Sequence, residues 1–347
     1  MKILAIETSC DETAAAIIEG KPKDKKVKIL SNVISSSLKL HAKTGGIIPE
    51  VAAREQIKYL IPIIEEAFKK AKIKTSKDNI PDIDQIAVTI GPGLIGSLLI
   101  GVETAKTLSL LWKKPIIPVN HLYGHIYANF VKQDAIKKDI TFPAIVLVVS
   151  GGHTDLLLMR NHNNIKWLGG TRDDAAGEAF DKIGRLLNLP YPGGPNIEEA
   201  ASKGDEKKYN FPRPLIGSLD FDFSFSGLKT AVLREVKTIV KIDNKQVADL
   251  SASLQKAIID VLIRKTIKAV KEYSVKSILI SGGVSANKKL ENQFLKEIKD
   301  NKINIDFFVP EKWLCTDNAS MIGACAFFRG KPIPLEKITA NPELYFN

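Results

Sequence analysis

Lys2-Ile-Leu-Ala-Ile-Glu-Thr-Ser-Cys-Asp-Glu-Thr-Ala-Ala-Ala-Ile-Ile18 decides the fold of this chain, because its pattern returns at Ala144-Ile-Val-Leu-Val-Val-Ser-Gly-Gly-His-Thr-Asp-Leu-Leu-Leu-Met159. In the first stretch Lys2 to Ile6 is apolar and branched, Glu7 to Thr13 is polar, and Ala14 to Ile18 is apolar again. That is a strand, a tight polar turn and a second strand. In the later stretch Ala144 to Val149 and Asp155 to Met159 are the strands, and Ser150-Gly-Gly-His-Thr154 is the turn. Both turns end in threonine, Thr13 and Thr154.

The two hairpins also lead into similar series of elements. After the first, a third strand is expected over Val27 to Ser35 and a helix over Pro49 to Lys72, with Pro49 at a favoured first-turn position. Ile57, Leu60, Ile61, Ile64 and Phe68 keep helical spacing, and Pro62 predicts a kink. A strand over Ile83 to Ile90 stops at Gly91-Pro-Gly93, and a helix from Ser97 to Leu111 comes next. After the second hairpin come a helix near Val247 to Tyr273, a strand over Ser277 to Ile280, the turn Ser281-Gly-Gly283 and another helix. Two similar α/β units predict a duplicated fold with a ligand cleft between its halves. The expected seam is Pro115 to Asn120.

A length of 347 residues fits two lobes better than one core. No stretch reads as a signal peptide or a membrane span, since Glu103 and Lys106 interrupt the apolar run from Leu98 to Leu111. Cys10, Cys315 and Cys325 are too few and scattered for a disulfide framework. A cytoplasmic protein is the expectation. The net charge of +11 favours acidic partners, nucleic acid above all. Only 8 of the 50 basic residues are arginine, a bias that genome composition also produces. The five lysines between Lys21 and Lys28 fit a solvated hairpin tip as well as a nucleic-acid contact.

His121 and His125 stand four apart, on one face of a helix. With Asp317 they would form a three-ligand site for a divalent metal, leaving positions open. Leu122 stands where zinc peptidases carry their general-base glutamate. The pair could instead be two partly buried histidines making only hydrogen bonds. The Ser150 to Thr154 and Ser281 to Gly283 turns offer backbone amides to an anion, though glycine pairs after strands are often only turns. Asp173, Asp174, Glu178 and Asp181 form an acidic group. Asp173 or Asp174 is read as a helix cap, and Asp181 as an acceptor for ribose hydroxyls. Tyr191-Pro-Gly-Gly-Pro195 is read as a rigid loop that passes close to a ligand.

Taken in order, Glu7-Thr-Ser-Cys-Asp-Glu-Thr13, His121/His125, Ser150-Gly-Gly-His-Thr154, Phe223-Ser-Phe-Ser-Gly-Leu-Lys-Thr230, Ser281-Gly-Gly-Val-Ser-Ala-Asn287 and Cys315-Thr-Asp-Asn318 closely resemble the universal tRNA threonylcarbamoyladenosine transferase family (TsaD in bacteria, once labelled a sialoglycoprotein endopeptidase). The resemblance covers essentially the whole chain and looks like the bacterial branch. It implies a duplicated ribonuclease-H-like fold of the actin, Hsp70 and sugar-kinase class. The lobes would be residues 1–116, with 323–347 packing back, and 117–322. It implies transfer of threonylcarbamoyl from threonylcarbamoyl-AMP to the adenosine amine beside the anticodon, in tRNAs reading codons that start with A.

By the same likeness His121, His125 and Asp317 would bind iron(II), with zinc as the other choice. Ser150, Gly151, Gly152, His153, Thr154, Asp181, Gly194, Glu198 and Asn287 would hold the adenylate, and Asp11 and Glu12 would serve catalysis. Partners would be a shorter paralogue of the same fold (TsaB-like) and a small ATPase (TsaE-like). The paralogue would dock on Pro49 to Lys72 and Gly91 to Leu111. Three positions depart from the pattern. Glu198 stands where many relatives have aspartate, and Tyr123 where glutamate is common. Gln56 replaces a frequent histidine and is expected to alter partner contacts. The rivals are a metallopeptidase, a small-molecule kinase of the same fold and a non-catalytic nucleotide-binding scaffold.

Overall fold

The computed structural model describes every residue except 39, 42–45, 135–137, 240, 241 and 347. It divides into two compact units, Met1–Ile140 with Pro310–Asn347, and Thr141–Val309.

In the first unit β1 (Lys2–Glu7), β2 (Glu12–Glu19) and β3 (Lys28–Ser36) form an antiparallel meander. β4 (Gln85–Gly91) and β5 (Ile116–Asn120) then add in parallel on the other side of β1. The sheet order is β3-β2-β1-β4-β5. β1 is central, which is why Ile3, Leu4, Ala5 and Ile6 are apolar without alternation: both faces are covered. α1 (Pro49–Ala71) and α2 (Ile95–Trp112) supply Leu60, Ile63, Ile64, Ala67, Val102 and Ala105 to one core. α1 continues through Pro62, and only part of its apolar stripe turns inward: Ile57 and Ile61 stay exposed.

In the second unit β6 (Ala144–Val149), β7 (Thr154–Asn161) and β8 (Asn164–Gly170) repeat the meander. β9 (Ser277–Ser281) and β10 (Asp306–Phe308) repeat the parallel addition. The order β10-β9-β6-β7-β8 is that of the first sheet, strand for strand. Two identical topologies in one chain make the fold a duplication of the ribonuclease-H-like unit.

The boundaries differ from those expected. Ile116–Asn120 is no connector: it is β5, bonded along β4, so the first unit continues to Ile140 instead of stopping at residue 116. The return begins at Pro310, before 323, because α10 (Ala319–Arg329) packs on β1, β2 and α3 (His121–Tyr127). His121, His125 and Asp317 therefore all belong to one unit. α2 also reaches the length and hydropathy of a membrane-crossing helix, a test that a core helix passes as well. Its inner face is packed: Leu98, Val102 and Ala105 are buried, while Glu103 and Lys106 pair at 3.0 Å.

Among the described residues, further helices are α4 (Ala176–Leu186), α5 (Gly193–Ala201), α6 (Ser226–Thr238), α7 (Asn244–Tyr273) and α8 (Lys288–Asp300) in the second unit, and α9 (Lys312–Cys315) in the first.

Candidate functional site

α3 starts directly where β5 ends. Asn120 caps it, its side-chain oxygen accepting from the Leu122 amide at 2.8 Å. The helix therefore opens on His121, with His125 one turn along the same face. The two rings stand edge to face, 4.7 Å between centroids. Asp317 precedes Asn318, which caps α10 by accepting from the Met321 amide at 3.1 Å. One Asp317 oxygen lies 3.4 Å from Nε2 of both His121 and His125. The three donor atoms all fall within 4.8 Å of one another.

This arrangement fits a divalent ion. Ligand atoms at about 2.0–2.2 Å from one zinc-sized ion, set at tetrahedral angles, lie about 3.3–3.6 Å apart. Two imidazoles and a carboxylate form the donor set that iron(II) and zinc share.

A second layer was not visible in the sequence. Glu7, at the end of β1 and fully buried, sets one carboxylate oxygen 3.0 Å from His121 Nδ1. That oxygen also accepts from the Thr89 hydroxyl at 2.6 Å, and the other accepts from the Ser9 amide at 2.5 Å. The Ser9 hydroxyl lies 3.1 Å from the same His121 nitrogen. Burial opposes the charge on Glu7, yet the adjoining His121 holds its carboxyl below the usual range. Burial also opposes protonation of His121, and Asp317 and Glu7 together overcome it, raising the imidazole well above its ordinary value. The only signal in the sequence was a charged residue closing an otherwise apolar buried strand.

Asp11 sits in the turn between β1 and β2 and Glu12 opens β2, both half-buried. Gln56 of α1 fixes that turn: its Nε2 donates to the carbonyl of Cys10 at 2.8 Å, with those of Thr8 and Glu12 at 3.3 Å. Gln56 is itself buried and its side chain faces the turn, against the expectation that it alters partner contacts. The Ser36 hydroxyl donates to Glu12 at 3.2 Å. Burial, Asp317 and Asp11 push the Glu12 carboxyl well above the usual carboxylate range.

The residues expected to hold an adenylate form one connected group in the second unit. The Ser150 amide donates to the His153 carbonyl at 2.8 Å, closing the turn, and the Thr154 hydroxyl accepts from Ala176 at the start of α4 at 2.9 Å. Asp181 in α4 accepts from the Gly193 amide, the first residue of α5, at 2.7 Å. Burial raises its carboxyl, against the pull of the Gly193 and Gly194 amides. Glu198 in α5 accepts from the Lys288 amide at 2.7 Å, and Asn287 caps the same helix, α8, by accepting from Leu290 at 3.0 Å. Gly282 has φ of 90°, and a Cβ there would meet the Val149 carbonyl at 2.4 Å, so this turn lies against the Ser150 turn. The N-termini of α4, α5 and α8 thus border one group of polar residues, with the partial positive charge that favours an anion. A Cβ at Gly151, Gly152 or Gly194 would meet nothing within 4 Å. Among the described residues, no neighbour requires glycine at these three places.

One expectation fails here. Asp173 does not cap its own helix; the N-cap of α4 is Ala175, without a side-chain bond. Its carboxylate instead accepts from the Ser224 hydroxyl, the Phe225 and Ser226 amides and the Ser226 hydroxyl, at 2.5 to 3.2 Å, so it caps α6 across the chain. Asp174 pairs with Lys182 at 2.7 Å.

Comparison with known proteins agrees with the geometry. The family described as tRNA N6-adenosine threonylcarbamoyltransferase (TsaD) matches residues 28–324. The protein of that name from Syntrophomonas wolfei subsp. wolfei is 48% identical over 327 residues, covering 94% of this chain and 91% of its own length. The one from Bacillus subtilis (strain 168) is 47% identical over 336 residues, covering 95% and 92%. Among solved structures, HypF of T. kodakarensis superposes with a TM-score of 0.61 at 14% identity, over 94% of this chain and 47% of HypF. That likeness bears on the fold alone. A match over most of the length, with relatives near half identical, places this chain in the tRNA N6-adenosine threonylcarbamoyltransferase family.

Proposed function

We propose that this protein transfers the threonylcarbamoyl group of threonylcarbamoyl-AMP to the exocyclic amine of the adenosine next to the anticodon, in tRNAs reading codons that start with A. The observation that carries the reading is the convergence of His121, His125 and Asp317 at 3.4 Å in a chain of this family.

Those three residues would hold one divalent ion, iron(II) by preference or zinc, which when bound supplies a Lewis acid for a carbonyl oxygen. The adenylate would lie against the second unit's polar group. Backbone amides of Gly151 and Gly152 and the positive ends of α4, α5 and α8 would face its phosphate, with Asp181 and Glu198 toward the ribose. Asp181 and Glu198 each already accept one backbone amide, which aims their remaining lone pairs. Open space at Gly151, Gly152 and Gly194 leaves room for such an approach.

In the transfer itself the adenosine nitrogen bonds to the carbamoyl carbon, the bond from that carbon to the phosphate oxygen breaks, and AMP leaves with the electron pair. The amine gives up one proton. Glu12 is the acceptor we favour, with Asp11 beside it, because a carboxylate with a raised pKa is the stronger base. No enzyme nucleophile is required, since the anhydride is already activated.

Partner docking belongs to the same reading. Ile57, Tyr59 and Ile61 on α1 and Ile95, Leu99, Leu110 and Leu111 on α2 are each at least 44% exposed, and apolar side chains gathered on one face are the kind of surface that a partner covers. A shorter paralogue of the same fold would cover them, and a small ATPase would complete the assembly.

The test is incorporation of labelled threonine into unmodified tRNA by this protein with an adenylate-forming synthase, ATP, bicarbonate, the paralogue and the ATPase. Label that depends on this chain and disappears with His121→Ala supports the reading. Absence of label with matched partners and competent tRNA overturns it.

A further inference from the structure

The buried carboxylate of Glu7 has no part in the transfer chemistry, yet three groups converge on it. One oxygen takes the Thr89 hydroxyl and faces His121 Nδ1; the other takes the Ser9 amide. An isolated ionised carboxylate in such a place would be strongly disfavoured. Its partners come from three separate elements: the turn after β1, β4 and α3.

We infer that Glu7 is a positioning residue for the metal centre: it accepts the Nδ1 proton of His121, so that the ring presents its Nε2 lone pair to the ion alongside His125 and Asp317.

A neutral imidazole has one N–H and one lone pair, and the hydrogen bond made by one nitrogen selects which role the other plays. With Nε2 directed at Asp317 and the Nε2 of His125 pointing at the same oxygen, the Nδ1 side of His121 is closed off by Glu7 and by the Ser9 hydroxyl. Only Nδ1–H with a free Nε2 satisfies a carboxylate acceptor on one side and a cation on the other. The Thr89 bond keeps Glu7 from turning away, and the Ser9 amide ties the same carboxylate to the turn that carries Asp11 and leads into Glu12. Metal and turn are thus held by one side chain. Carboxylate–histidine–metal arrangements of this sort change metal affinity by about 10–100-fold when the carboxylate is lost.

This inference rests on the metal reading of His121, His125 and Asp317, and its experiment separates the two. Zinc and cobalt(II) affinities of the purified full-length protein are measured by competition with a chelator, for the unaltered chain, Glu7→Gln and Thr89→Val. Thermal unfolding in chelator reports whether each variant is folded. A loss of about 10–100-fold is expected for Glu7→Gln, and a smaller loss in the same direction for Thr89→Val. Equal affinity in a folded Glu7→Gln overturns the inference, whereas failure of the unaltered chain to bind either ion overturns the metal reading. Long-range nitrogen–proton spectra of the zinc-loaded unaltered protein decide the matter even if Glu7→Gln does not fold. His121 carrying its proton on Nδ1 supports the assignment, and a proton on Nε2 defeats it.

Discussion

Gly151 and Gly152 show what separates a glycine that the fold needs from one that it does not. Gly282 cannot be replaced without strain, because its φ is positive and a Cβ would run into the Val149 carbonyl. Gly151 has neither constraint. Gly151→Val should therefore leave stability within about 0.5 kcal/mol of the unaltered protein, as for a surface substitution away from any special feature. The branched side chain would occupy the space where we place the adenylate phosphate. Equilibrium binding of a non-hydrolysable adenylate analogue should weaken at least about tenfold while the unfolding midpoint stays put. Unchanged binding would move the phosphate elsewhere. His121 and His125 share one face, since a spacing of four on a helix is a geometric statement that any helix obeys, and the fold brings Asp317 to both of them. Glu7 was not legible, because a lone glutamate within a motif does not show which ring it touches.

At the scale of elements, the start of one helix is held by a side chain that precedes another. Asp173 binds two backbone amides and two hydroxyls at the start of α6. Asp173→Ala should cost about 1–2 kcal/mol, the upper range for a helix cap, read from denaturant unfolding. It should also loosen amide-exchange protection at Phe225 and Ser226 before that of α7.

A second element-level device is the segment that joins α5 to α6. Lys265 on α7 is buried and donates to the Ser218 hydroxyl at 2.6 Å and to Asp220, whose carboxylate also accepts from Ser218 and from the Asp222 amide. The Ser218 hydroxyl bond contributes most to lowering the Asp220 carboxyl from its ordinary 3.8 to about 2, with the Asp222 amide and Lys265 adding to it against desolvation. A depressed acid stabilises the fold above its unfolded pKa and ceases to do so as pH falls through its folded one. The stability gap between the unaltered protein and Asp220→Asn should accordingly be constant above about pH 4 and shrink between about pH 4 and pH 2. A gap independent of pH across that window would show that Asp220 acts only as a neutral acceptor.

For the whole molecule, charge is the property that belongs to no single element. On the proposed function, a net charge of +11 makes attraction to the tRNA backbone a long-range matter. The affinity for unmodified tRNA should fall with rising salt, as a straight line of log K against log concentration whose slope counts the phosphates neutralised. A flat line would mean that the lysine excess faces solvent and leaves binding to a few uncharged contacts. The duplication is also a whole-molecule property. Both sheets have the order 3-2-1-4-5 counted within each unit, with two antiparallel and two parallel pairings apiece.

A local reading was enough for the repeated hairpins, the long helices and the shared face of His121 and His125. These come from local rules: periodicity of apolar residues, spacing on a helix, and the polar or glycine-rich character of turns. Tertiary structure alone decided three other matters. Ile116–Asn120 is a strand because β4 offers it a parallel edge, with Ile86 opposite Ile116, and nothing within those five residues marks the pairing. Asp173 caps a distant helix in place of its own because Ser224, Phe225 and Ser226 are brought to it. Glu7 meets His121 across 114 residues. In each case the deciding partner is far away in sequence, and a hydrogen bond takes its meaning from whichever group packing sets opposite it.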